Sequence, residues 1–425
     1  MRSLPTLALT ASIGVVGLAL APAASAAAPD ESVAYLATQL ETGGNRLTVE
    51  SGGQSYDDLG LTIDAILGMS ASGTGGEISQ AATDYVIANA GAYYGFGDEV
   101  YAAATAKLLT FVSARGLDPR DVGGVDLVEQ LQSLEDENGQ FVDRSEWGDY
   151  SNTLGQSFGV IGLKRAGTNP SPASIDTLLA QQCQDGGFSL DFAAGCVSDP
   201  DATSVAVQAL ETVGGHDTAA ASAADYLQSR QASDGGVGGG ATTEGPNANS
   251  TGLAAVAFRL TGRQDARTAA LGYLQSLTFG CDTPALAGGI AYNRADFDTA
   301  SARGADAAPD GTITRSTAQA LLGLTDQSYA SVTATNQSAA TPALDCAAPT
   351  PDGDDGTDDD GSADDDGSTT PVEDTDTPAA PEIPAVVQTD GVTTFAPAWP
   401  LALGAAALAA GTTVLVRRRT RQQQS

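Results

Sequence analysis

Between residues 28 and 346 the apolar positions fall into paired runs, and the pair repeats six times. Each copy reads as a helix, a Gly-rich turn, and then a helix of smaller residues. The clearest are Leu178–Phe188 (LLAQQCQDGGF) followed by Asp201–Val213, and Tyr226–Val237 (YLQSRQASDGGV) followed by Asn249–Leu260. The first helices are expected to begin near Val33, Ile78, Val125, Ile175, Ala223 and Thr268. Their partners are expected near Asp58, Asp98, Tyr150, Asp201, Asn249 and Thr314. A fixed period of this kind is the signature of a repeat architecture.

The second helices are apolar on every side, as in Leu253-Ala254-Ala255-Val256-Ala257. A helix without a polar face is buried, so these form an inner wall and the first helices an outer one. Gly-rich ends such as Gly43-Gly44, Gly139, Gly186-Gly187 and Gly235-Gly236 supply the positive φ that helix C-termini favour. Asp57, Ser151, Asp201, Asn249 and Thr314 are expected to cap the second helices. Six such hairpins can close into a ring around a central cavity. Repeat two departs most, with Ala92–Gly97 (AYYGFG) at its turn, and repeat six carries an insertion over Thr278–Ile313.

Gln182-Cys183-Gln184-Asp185-Gly186-Gly187-Phe188 and Gln231-Ala232-Ser233-Asp234-Gly235-Gly236-Val237 resemble the QxxDGG(W/F) repeats of the prenyltransferase and squalene-cyclase superfamily. Glu135–Phe141 (EDENGQF) is a looser third copy. The resemblance implies an all-α fold, an α6/α6 toroid over residues 28–346. It implies less about activity, because one fold hosts enzymes and binding proteins alike.

The ends of the chain carry different signals. Residues 1–26 combine Arg2, an apolar run and Ala24-Ser25-Ala26, the layout of a secretory signal peptide. Residues 399–416 are uncharged and precede Arg417, Arg418, Arg419 and Arg421, which reads as a transmembrane anchor with a basic cytoplasmic tail at 417–425. The layout is also similar to Gram-positive wall-sorting signals, with Val387-Gln388-Thr389-Asp390-Gly391 in place of LPxTG. The scarcity of Lys beside Arg suggests a GC-rich genome such as an actinobacterium's. Residues 347–397 hold fourteen acids and no Lys or Arg, a composition that cannot offset the entropy of ordering, and so read as a disordered acidic stalk. Its DDxxD at Asp354–Asp358 matches a metal-diphosphate motif but lies in a linker.

Together these place the ring outside the cytoplasm, anchored to the membrane or cell wall. A net charge of −34 argues against nucleic-acid partners. An even cysteine set in an exported chain predicts disulfides, with Cys183–Cys196 and Cys281–Cys346 the favoured pairs.

Candidate chemistry is sparse. With His216 the single histidine, neither a zinc site nor a Ser-His-Asp set can be assembled, so no metal and no cofactor is expected. The DxDD acid of squalene-type cyclases finds its nearest match in Asp199-Pro200-Asp201, two carboxylates where the motif has three. Asp57, Asp58, Glu146, Asp149, Asp199 and Asp201 could form hydrolase-like carboxylate pairs, but helix N-termini stabilise such groups as anions and make them poor general acids. Binding remains. Tyr93, Tyr94, Phe96, Trp147, Tyr150, Asp201, Asn249, Tyr292, Arg294 and Arg315 fall in loops or at inner-helix starts, where aromatic and Arg residues anchor ligands. The expected role is binding a small molecule, lipid or surface protein without catalysis. A terpene-cyclase-like enzyme using Asp199 and Asp201, a cobalamin-carrier-like protein, and a structural protein with a solid ring are the alternatives.

Overall fold

The computed structural model describes residues 29–344 and 346, apart from 52, 193–194 and 241–244. The signal peptide, stalk, anchor and tail expected from the sequence lie outside the described residues. Among the described residues no helix is long and apolar enough to cross a membrane.

Among the described residues six helical hairpins follow one another. Helix α1 (Pro29–Thr42) precedes a strand pair, β1 (Thr48–Ser51) and β2 (Gln54–Asp57), and then α2 (Leu59–Ser72). The second hairpin is α3 (Gly76–Ala88), a short α4 (Ala90–Tyr94), the pair β3 (Gly95–Phe96) and β4 (Glu99–Val100), and α5 (Ala102–Ala114). The third is α6 (Leu127–Ser133) with α7 (Thr153–Arg165). In the fourth, α8 (Pro172–Leu179) leads through β5 (Phe188–Ser189) and β6 (Ser198–Asp199) to α9 (Pro200–Val213). The fifth runs from α10 (Asp217–Ser229) through β7 (Val237–Gly238) and β8 (Pro246–Asn247) to α11 (Ala248–Leu260). The last joins α12 (Gln264–Ser276) to α14 (Gly311–Leu321), with α13 (Arg294–Ser301) in the insertion.

The second helices pack in the order α2, α5, α7, α9, α11 and α14, and α14 packs back on α2. The ring therefore closes. Inner helices are buried nearly all round: in α7 every residue from Thr153 to Leu163 is buried, whereas outer α12 buries only Ala266, Ala270, Tyr273 and Leu274. Small residues make that wall possible. A Cβ on Gly252 would fall within 2.7 Å of the Ala320 Cα, so α11 and α14 touch backbone to backbone there.

The repeated turn has a specific mechanical role. Gln182 Nε2 donates to the carbonyls of Gly186 (2.9 Å) and of Ala219 in α10 (2.8 Å), and Gln231 Nε2 donates to those of Gly235 (2.9 Å) and of Ala266 in α12 (2.9 Å). The next residues are stitched inward: Phe188, Val237 and Ile290 donate backbone N–H to the hydroxyls of Thr203, Thr251 and Thr317 on the inner helices. Each turn thus joins its own inner helix to the outer helix of the following repeat. At the ring's seam Ser32 Oγ in α1 donates to the Gly288 carbonyl at 2.8 Å, so repeat six is locked to repeat one.

Gly235 takes φ +94°, and an added Cβ would land on the Ala269 carbonyl of α12. Gly235→Ala is expected to cost about 3 kcal/mol, from the left-handed conformation and the forced separation of two repeats. Thermal unfolding checks this, and Gly272→Ala, on the same outer helix with open space around it, is the control.

The inner-helix caps differ from the expectation at five positions. The capping side chains are Asp58, Asn152, Asp199, Asn247 and Asp310, not Asp57, Ser151, Asp201, Asn249 and Thr314. At α9, Pro200 occupies the first helical position, and Asp199 Oδ1 accepts from Asp201 N (2.9 Å) and Ala202 N (3.0 Å). Four of these five caps are extended residues directly before the helix, a backbone state that helix periodicity does not report.

After α14, residues 325–338 cross the face where the inner helices end. Arg165 donates to the carbonyls of Tyr329 (3.0 Å) and Val332 (2.6 Å), Arg259 to Gln327 (3.1 Å), and Gln208 Oε1 accepts from Tyr329 N (2.9 Å). Cys183 is bonded to Cys196 and Cys281 to Cys346.

Candidate functional site

The ring axis is the first place to look for a ligand. The sixth residue of five inner helices forms one inward layer: Asp64 in α2, Lys107 in α5, Phe158 in α7, Val205 in α9 and Leu253 in α11. With Gln319 of α14 and Tyr329 of the closing segment they surround a cavity of about 10 Å³, roughly one water's worth. At this level the expected central cavity is therefore filled, and its filler is partly ionic. Lys107 Nζ lies 2.6 Å from Asp64 Oδ1, with side chains 5% and 6% exposed. Lys107 also donates to the Gly60 carbonyl at 3.1 Å. Gln319 Nε2 approaches Asp64 Oδ2 at 3.4 Å, and Asn249 Nδ2 donates to Gln319 Oε1 at 2.7 Å. Tyr329 packs on Phe158 with ring centroids 4.9 Å apart. Burial pushes its hydroxyl well above the ordinary tyrosine range, with Asp64 and Asp201 adding to the effect.

Most candidate residues read from the sequence separate into two groups, with Tyr94, Tyr292 and Arg294 in neither. Tyr93, Asp201 and Asn249 are buried in the wall. The Tyr93 phenol is raised by burial first and then by Asp64 and Asp58. Arg315 is held by Asp58 at 2.5 Å, closing α14 onto α2. These four brace the ring. Tyr94 is half-buried and Tyr292 gives its carbonyl to Ala248 N at 2.8 Å. Arg294 is exposed, 5.0 Å over the Phe297 ring, and donates to Ser276 Oγ at 2.7 Å.

Trp147 and Tyr150 belong to the second group, on the face that gathers the inner-helix N-termini. They sit in the loop entering α7, 48% and 54% exposed, and the β3 residue Phe96 is 55% exposed. Strand β4 bridges Val100 to Arg144 in that loop, and Glu99 Oε1 accepts from Glu146 N at 3.0 Å. Asp143 accepts from Ala102 N at 2.7 Å and Tyr150 N at 3.0 Å, while Asp149 Oδ1 accepts from Asp143 N and Ser151 N, each at 3.0 Å. Burial raises the Asp143 carboxyl, its two backbone donors notwithstanding. The Ser145 hydroxyl lowers that of Glu99. The Asp57 carboxylate is engaged by Arg46 and the Tyr85 hydroxyl.

Elsewhere, an open groove of about 380 Å³ on the outer wall is lined by Gln182, His216, Asp217 and Ser222. Among the described residues no cluster of three His, Cys, Asp or Glu could hold a metal ion. Asp64 and Lys107 escaped the sequence reading. Their signal was available: with the repeats aligned on the Thr that receives each turn, two charges occupy a column that elsewhere holds Phe158, Val205, Leu253 and Gln319.

No protein-family model matches the sequence, and no curated protein matches it. Solved structures do resemble its chain path. A protein from Actinoplanes is 18% identical, with 70% of this chain and 97% of that one covered at a TM-score of 0.53, which shows a shared fold. The type II terpene cyclase MstE from Scytonema is 15% identical over 69% of this chain and 96% of its own, at a TM-score of 0.49. A glycosidase is 14% identical over 70% and 98%, at 0.47.

Proposed function

We propose that this protein is a recognition module without catalysis, displayed outside the cytoplasm, that engages its partner on the face carrying the inner-helix N-termini. The filled axis is the observation that carries the reading. A cavity of about 10 Å³ admits neither an isoprenoid nor a corrin. Two disulfides support an extracytoplasmic setting. The signal peptide, acidic stalk and C-terminal anchor expected from the sequence would hold the ring at the membrane or wall.

Native mass spectrometry of the full chain, purified from its own host, tests this. The expected spectrum shows the bare mass with two disulfides. A reproducible extra small-molecule mass would sink the reading.

The burial of Asp201, 3% exposed beside the axis, is what favours the rival of a cyclase acid. Because Asp199 is the cap, Asp201→Asn removes no capping bond from the start of α9. Incubation with a polyprenyl substrate is expected to give no product from either protein. Product from the wild type that disappears in Asp201→Asn would establish the rival instead.

A further inference from the structure

Six large apolar side chains are exposed among the described residues: Val49, Phe96, Leu117, Trp147, Tyr150 and Val197. The three aromatic ones gather on one surface. Phe96 pairs across the β3–β4 strands with Glu99, Glu99 holds the backbone of Glu146, and the Tyr150 hydroxyl donates to the Trp147 carbonyl at 3.0 Å. From this geometry, and resting on the recognition reading above, we infer that Phe96, Trp147 and Tyr150 form a docking surface for a lysine- or arginine-bearing segment of a partner protein.

Three features support a cationic occupant. The loop is pinned by the carboxylates of Asp143, Asp149 and Glu99, so its backbone has little entropy left to lose on binding. Aromatic faces attract cations through their quadrupoles, most strongly tryptophan. Local charge complements the same ligand: residues 96–100 and 143–150 carry Asp98, Glu99, Asp143, Glu146 and Asp149 against Arg144 alone. That field disfavours an anionic lipid surface and steers a basic segment inward. A neutral glycan could stack on the rings but would draw nothing from the charges.

The test uses the full chain carrying Trp399→Phe in detergent micelles, which leaves Trp147 as the one tryptophan. Nona-arginine is titrated in, and acrylamide quenching of Trp147 is the readout, because the acidic residues 347–397 will also attract a polycation. Quenching is expected to fall about twofold at saturation, with protection weakening about tenfold between low and high salt. Tyr150→Ala is expected to raise the Kd about tenfold. Glu146→Gln, an isosteric change at an exposed position, should do so by about threefold.

Bound nona-arginine that leaves Trp147 as quenchable as before overturns the inference, as does unchanged affinity in both variants. Protection by a neutral oligosaccharide but not by nona-arginine overturns the cationic partner while leaving recognition through this face in place. A small molecule found by mass spectrometry removes the recognition reading itself.

Discussion

Lys107→Met is expected to lower the stability of the ring by about 3–5 kcal/mol, because it strands a buried carboxylate. Asp64 and Lys107 face each other at 2.6 Å near the axis, where neither side chain is more than 6% exposed. With the ammonium gone, Asp64 keeps only the distant Gln319 amide at 3.4 Å. A neighbouring space of about 10 Å³ is too small for the carboxylate to regain its hydration shell. Replacing both partners, Asp64→Leu with Lys107→Met, is expected to recover most of the loss, since a buried pair exchanged for apolar groups is often neutral or stabilising. Urea unfolding of the four proteins in a double-mutant cycle gives the coupling directly. A loss below about 1 kcal/mol in the single variant would mean that the axis is wet, and the case for a solid ring would fail with it.

Removing Cys281–Cys346 by paired Ser substitutions is expected to cost about 4 kcal/mol, against about 3 kcal/mol for Cys183–Cys196. The difference follows from sequence separations of 65 and 13. The longer loop contains α13, α14 and the segment that closes the C-terminal face, so its loss acts where the ring is shut. Hydrogen exchange should show the amide of Tyr329, bonded to Gln208 at 2.9 Å, losing protection before the inner helices do. Loss of protection at Tyr329 and across α7 together would instead mean that the segment and the ring open as one unit.

Much of the fold was legible because its information is local and repeated. The Gln…Asp-Gly-Gly turns specify a helix end, a positive φ and a side-chain amide placed to reach the next repeat, all within seven residues such as Gln182–Phe188. The small, all-round apolar second helices announce their burial. The even cysteine count predicted disulfides, and the favoured pairing is the one observed. Boundaries were less legible: the cap of α14 lies at Asp310, four residues before Thr314, because the insertion leads into the helix as extended chain.

The candidate site divides in the same way. Trp147 and Tyr150 were noted as aromatic residues in a loop, and that loop is exposed and hydrogen-bonded through Asp143, Asp149 and Glu99. Tyr93 and Asn249 drew notice for equally good reasons and are buried, since a residue beside a helix start can face the wall or the solvent and its type does not say which.

The sequence by itself determined the six hairpins, which helices line the ring, and the net charge of −34. Tertiary structure alone decided what fills the ring. Asp64 and Lys107 belong to different repeats, and Tyr329 lies beyond the last one. Whether such side chains meet beside the axis depends on how six helices close, and no local period along the chain encodes that distance.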